Sequence, residues 1–116
     1  PQWLSRDIDM AEHAIVANGV LFVYGSGEDT TQVMPKRAYT DPRGAQLGGA
    51  VSNGAPRRLE GRKASLYALD ALTGQELWNS GNEITTWNHY SGLTVANGRV
   101  FLSTFDGTIY AFGVPR

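Results

Sequence analysis

The chain of 116 residues contains no cysteine. That excludes a disulfide framework, a thiol nucleophile and a thiolate metal site. It leaves the compartment open, because secreted proteins can also lack cysteine. An excess of charge is missing too: 10 Lys and Arg stand against 11 Asp and Glu, a net charge of -1. Such a chain has no overall field to draw nucleic acid or an anionic membrane. No apolar run approaches the roughly 20 residues that cross a bilayer as a helix. Pro1-Gln2-Trp3 has neither an initiator methionine nor the apolar stretch of a signal peptide, so a processed or excised chain is expected. Helix is hard to place anywhere, because Gly, Asn-Gly and β-branched residues interrupt every long window. Asp9 to Ala17 holds some helix formers, but its Ala14-Ile15-Val16-Ala17 run reads as strand.

What remains is a globular composition, 41% hydrophobic and 18% charged, punctuated by 14 glycines. Asn18-Gly19 and Asn97-Gly98 each separate two apolar stretches. Asn-Gly tolerates the positive φ that a two-residue hairpin turn needs at both central positions. The block Val-Ala-Asn-Gly recurs at 16–19 and 95–98, an offset of 79. A second echo, Leu66-Tyr67-Ala68-Leu69 against Ile109-Tyr110-Ala111-Phe112, has an offset of 43. Both hold if the first repeat carries an insertion of 36 residues, the length of Glu28 to Lys63. That segment is rich in Gly and Pro. It carries seven of the ten basic residues: Lys36, Arg37, Arg43, Arg57, Arg58, Arg62 and Lys63. Without it the repeat is about 43 residues, a length typical of propeller blades.

Strands are expected in an ABCD order. The first repeat, residues 13–81, has A at 13–17, B at 20–26, C at 64–70 and D at 75–80. The second, residues 82–116, has A at 90–96, B at 99–105 and C at 108–113. Asp106-Gly107 is the turn from B to C, and the second repeat carries no D strand. Within the N-terminal segment 1–12, Trp3-Leu4-Ser5 echoes Trp78-Asn79-Ser80 and supplies a strand of that type. The expected fold is all-β: two antiparallel four-stranded blades in permuted order, part of a larger β-propeller.

Residues 68–78, Ala-Leu-Asp-Ala-Leu-Thr-Gly-Gln-Glu-Leu-Trp, resemble the tryptophan-docking repeat of quinoprotein-type, pyrroloquinoline-quinone-binding-like β-propellers. Ala68, Asp70, Thr73, Gly74 and Trp78 match its defining positions, and the likeness extends over most of the chain outside 28–63. The second repeat departs from it, with neither the Asp, the Thr-Gly nor the Trp. The resemblance implies the C-terminal two blades of a repeat protein in a superfamily that includes quinone-dependent alcohol dehydrogenases and a propeller lipoprotein of outer-membrane protein assembly. It also implies a periplasmic or secreted location and a ring of eight blades. Read as chemistry, the motif is structural. Asp70 can bond backbone N–H groups two residues on. Gly74 offers a surface with no Cβ, and Trp78 is large enough to lie across a neighbouring blade.

Meander geometry puts the 28–63 connection and the Asn79–Tyr90 connection on one face, near the mouth of a propeller channel. Trp87, Asn88, His89 and Tyr90 are the densest chemistry there. Trp87 could stack on a flat ligand, Asn88 could bond polar edges or a hard cation, and His89 could act as base or ligand. The other reading has Trp87 and Tyr90 packing between blades while Asn88 and His89 satisfy loop backbone. The basic 28–63 segment reads either as a docking loop for an anionic partner or as a solvated loop. His13 reads as structural, and Glu83 and Asp106 as isolated carboxylates.

Two functions follow as expectations. One is a binding or scaffold module with no self-contained catalytic site and no metal site, presenting loops to a protein or small molecule. The other, implied by the resemblance, is a piece of an alcohol or sugar dehydrogenase using pyrroloquinoline quinone and calcium. The vicinal cysteine pair that many such enzymes carry is absent. Two blades cannot close a ring. The expected partners are the remaining blades of a parent chain or further copies, four copies giving eight blades. Nucleic acid is not among them.

Overall fold

The computed structural model describes residues 1–8, 10–27, 62–89 and 91–113. Among them lie seven strands and no helix: β1 (Ile15–Ala17), β2 (Val20–Gly25), β3 (Ser65–Asp70), β4 (Glu76–Asn79), β5 (Thr94–Ala96), β6 (Arg99–Ser103) and β7 (Ile109–Gly113). They form two antiparallel meanders, a four-stranded sheet β1-β2-β3-β4 and a three-stranded sheet β5-β6-β7. The all-β expectation therefore holds, and each strand lies inside its expected range. The expected strand at Trp3-Leu4-Ser5 does not form: residues 1–8 pair with no strand, and Ala11 alone bridges to Gly25. Most of the 28–63 segment, with five of its seven basic residues, lies outside the described residues. Its described end, Arg62 and Lys63, is exposed, and the Arg62 N–H donates to Gly27 O.

The turns form for the reason expected. Asn18 and Gly19 have φ of 51° and 77°, and Asn97 and Gly98 have 50° and 71°. Each pair therefore satisfies the positive-φ requirement of a twist-matched hairpin. The β3–β4 turn is built on Asp70. One carboxylate oxygen accepts the N–H of Leu72 at 2.9 Å and of Thr73 at 2.8 Å, and the Thr73 hydroxyl at 3.0 Å. Those bonds from Thr73 and Leu72 hold the Asp70 carboxyl below the usual carboxylate range. The turn's bonds thus contribute stability above the usual carboxylate range, and it is lost as pH falls below that range through the depressed folded-state value. In β4, Trp78 lies opposite Ala68 while Glu76 lies opposite Leu69, so Leu77 is the extra residue of a bulge.

The two sheets stack face to face. Strand alternation points Phe22, Tyr24, Leu66 and Ala68 of the first sheet one way. Tyr24 and Leu66 join Val100 and Leu102 of the second sheet, and Ile84 between the sheets, in one buried cluster, with Phe22, Tyr110 and Phe112 packed against it. Under the repeat offsets, Phe22, Leu66 and Ala68 correspond to Phe101, Ile109 and Ala111. The first set forms the forward face of its sheet and is covered. The second set forms the same face of the second sheet, and there Ile109 is 72% exposed. Leu21, Val23, Tyr67 and Leu69, on the backward face of the first sheet, correspond in turn to Val100, Leu102, Tyr110 and Phe112.

A tryptophan crosses at each level of this stack. Trp78 meets Phe112 of the second sheet at a centroid separation of 5.3 Å. Trp3 lies against Gly74 on the first sheet, and its indole N–H donates to Ala71 O at 3.3 Å. Both tryptophans that echo each other in sequence thus lie against a sheet, at different positions on it.

Candidate functional site

The described ends of the β2–β3 connection meet the β4–β5 and β6–β7 connections at one end of the stack. The β4–β5 connection runs between the sheets as a strut. Thr86 O accepts from Ala64 N–H at 2.8 Å, and Asn88 N–H donates to Ser26 O at 2.8 Å. Both bonds fix it to the first sheet. Trp87 O accepts from Phe105 N–H at 3.3 Å, which fixes it to the second. The expected meeting of the second and fourth connections on one face is realised for the described residues, and the β6–β7 connection joins them.

This placement gives Trp87, Asn88 and His89 of the sequence cluster a role in the seam. Trp87 is buried and stacks on Phe105, with ring centroids 4.3 Å apart and planes 19° from parallel. Asn88 is buried, and its side-chain oxygen accepts the His89 N–H at 2.9 Å. Its Nδ2 has no hydrogen-bond partner among the described residues. His89 Nδ1 lies 2.5 Å from Glu12 Oε1, each side chain only 12% exposed. Tyr90 lies outside the described residues. The cluster's aromatic and polar atoms are therefore turned into the join between sheets, where they bind the N-terminal segment, both sheets and one another.

Glu12, Ser26 and Phe105 were not singled out in the sequence. Glu12 is 77 positions from His89, and only the bridge from Ala11 to Gly25 carries it there. Asp106, isolated in sequence, accepts the Thr104 hydroxyl at 2.7 Å and the Thr108 N–H at 3.2 Å. Those bonds, the Thr104 hydroxyl first, hold its carboxyl below the usual range. It is a turn residue rather than an acid–base group. His13 is exposed. Tyr24 is fully buried, and its hydroxyl donates to Ser91 O at 2.6 Å. Burial first, and the nearby Glu12 charge second, push its phenol up to about 12. No group of three or more His, Asp and Glu among the described residues is placed to hold a metal ion.

A separate cleft of about 730 Å³ opens between the sheets at the opposite end, lined by Phe22, Leu77, Trp78, Glu83, Arg99 and Phe112 among others. Its walls are mainly apolar side chains of the two stacked faces, with Glu83 and Arg99 as its charged lining.

Comparison with protein-family models, with curated proteins and with solved structures finds no match. The geometry of the chain therefore carries the functional argument.

The pairing of His89 with Glu12 makes a direct prediction. Glu12→Gln keeps the shape but removes the charge that faces the imidazole. We expect a loss of about 1–3 kcal/mol, because a partly buried polar group loses its charged partner. Urea unfolding should show a lower midpoint at an unchanged slope. An unchanged midpoint would mean that the contact adds nothing to the seam.

Proposed function

We propose that the two sheets are successive blades of a larger β-propeller and that the chain serves as a binding or scaffold module. One observation carries this reading. Sheets related by the sequence repeat stack face on face, Trp78 of the first crosses onto Phe112 of the second, and Trp3 lies on Gly74 of the first. A stack that repeats in this way leaves one face and one edge open at the end, which further blades cover. The likeness of residues 68–78 to the tryptophan-docking repeat supports the same architecture, a ring of eight blades among its forms, and with it a periplasmic or secreted location. Function in such a module lies in its connecting loops. The meeting point of the β2–β3, β4–β5 and β6–β7 connections is where a protein or small-molecule partner would be met.

The quinone dehydrogenase reading rests on that likeness alone. Quinone and calcium would need ligands from the complete propeller, and two of the described carboxylates are already engaged. Calcium takes six to eight oxygen ligands, whereas Glu12 faces His89 and Asp106 is engaged in its own turn. No catalytic step is derived through that group. The experiment supplies pyrroloquinoline quinone and calcium to the complete assembly, then measures quinone binding and turnover of alcohols and sugars with an artificial electron acceptor. The module reading expects neither. Tight quinone binding or turnover, lost in the Trp87→Ala, His89→Ala double variant, would replace it with the enzyme.

A further inference from the structure

The cleft between the sheets is walled by two cross-strand rows. On the first sheet Phe22, Ala68 and Trp78 lie opposite one another across β2, β3 and β4. On the second, Val95, Val100 and Phe112 do the same across β5, β6 and β7. All six line the cleft. Elsewhere the seam is filled by the β4–β5 strut, whose Ile84 is fully buried in the shared cluster. Of the strut's described residues, Glu83 alone lines the cleft. The facing side chains must fill that part of the seam themselves, and Ala68 is too short to do so. A space of about 730 Å³ is left, within the range of roughly 300–1,000 Å³ that small-molecule sites occupy. It lies between two described sheets, so its walls do not depend on what stands beyond either of them.

Two opposite charges interrupt this apolar lining, Glu83 and Arg99, and both are exposed. The ion pairs among the described residues are Arg6 with Glu76 and Glu12 with His89, so neither has a described partner. Arg99 has a fixed course. A Cβ on Gly113 would lie 2.9 Å from Arg99 Cγ, so the missing side chain leaves room for the Arg99 stem to cross β7.

The strands hold the two charges apart. Contact between Trp78 and Phe112 marks a level common to both sheets. Phe112 lies opposite Val100, so Arg99 is one residue from that level, towards the Asn97-Gly98 turn. Ser80, whose carbonyl accepts the Glu83 N–H at 3.1 Å, is two residues from it in the other direction. Three strand residues put these anchor points roughly 10 Å apart.

A molecule that satisfies both charges carries an ammonium and a carboxylate at a similar separation, with an apolar body between them. A free amino acid holds both groups on one carbon and is too short. Three residues of extended chain span roughly 10 Å. We propose that the cleft binds a short apolar peptide with free termini, its ammonium group at Glu83 and its carboxylate at Arg99. Its side chains enter between the two rows, and their burial supplies the main driving force. The exposed charges fix its direction and select free termini over blocked ones. This site lies away from the meeting point of the connections and goes beyond the partner binding proposed there.

The test uses trileucine and the intact chain, with affinity from isothermal titration and location from heteronuclear magnetic resonance. Trileucine should bind and shift the indole N–H of Trp78 while leaving that of Trp87 in place. Trialanine, with the same termini and little apolar body, should bind far more weakly. Acetylating the amine of trileucine should weaken binding by about fivefold, the upper range for an exposed ion pair. Glu83→Gln should impose the same loss on trileucine and none on the acetylated form. Arg99→Gln should do likewise for trileucine and its carboxyl amide. Both substitutions are at exposed positions and should leave the urea midpoint unchanged. No binding at millimolar trileucine would overturn the proposal, as would equal affinity for the blocked forms or for trialanine. Shifts confined to Trp87 would overturn it too, and would place the peptide at the meeting point of the connections instead.

Discussion

Gly74→Val is expected to expel Trp3 from the first sheet and to lower stability by about 2–4 kcal/mol. Two physical causes add. Gly74 has φ of +74°, where an L side chain costs roughly 1–2 kcal/mol. A Cβ there would lie 2.7 Å from the Trp3 Cδ2 atom, a distance that real contacts do not reach. The indole must therefore leave, which also breaks its N–H bond to Ala71 O. Trp3→Ala removes the clash and leaves only the backbone cost, so the two substitutions should couple. A double-mutant cycle in urea should return an interaction of about 0.5–3 kcal/mol. Strict additivity would mean that Trp3 does not rest on Gly74 in solution.

Leu66→Ala should cost about 2–5 kcal/mol. Leu66 is fully buried in the cluster to which both sheets contribute, together with Tyr24, Ile84, Val100 and Leu102. The cavity left cannot close without moving one sheet towards the other. Small domains are stable by only about 5–15 kcal/mol, so the variant should approach unfolding. Leu72→Ala is the matched control: Leu72 is 84% exposed in the β3–β4 turn, and its loss should fall within about 0.5 kcal/mol of no effect. Thermal unfolding should show the first variant far below the second. Similar midpoints would mean that the sheets do not share a core.

Local chemistry made most of this fold legible. Asn-Gly can take positive φ at both positions, so the two hairpins were readable from two residues each. Asp70 and Thr73 close their turn through atoms two and three positions apart, which a short motif records. The paired offsets of 79 and 43 told that one unit occurs twice. Position in space was less legible. Glu12 reaches His89 only because residues 10–12 lie along the end of β2, and no local spacing encodes that contact. In sequence Trp87 reads as a stacking platform or as packing between blades, and His89 as a base or ligand or as satisfying loop backbone. Their burial between two sheets depends on how the sheets stack. The strand expected at Trp3-Leu4-Ser5 does not form among the described residues, where Trp3 instead lies against Gly74 and bonds Ala71 O.

The stacking of one repeat unit on the next is the claim from which the rest follows. Its most direct test is the nuclear Overhauser pattern of the Trp78 indole in the intact chain. With ring centroids 5.3 Å apart, the indole protons should show strong cross-peaks to the Phe112 ring, and these should vanish in Phe112→Leu. Cross-peaks confined to residues of β3 and β4 would contradict the account, since Trp78 would then end its own sheet without reaching the next.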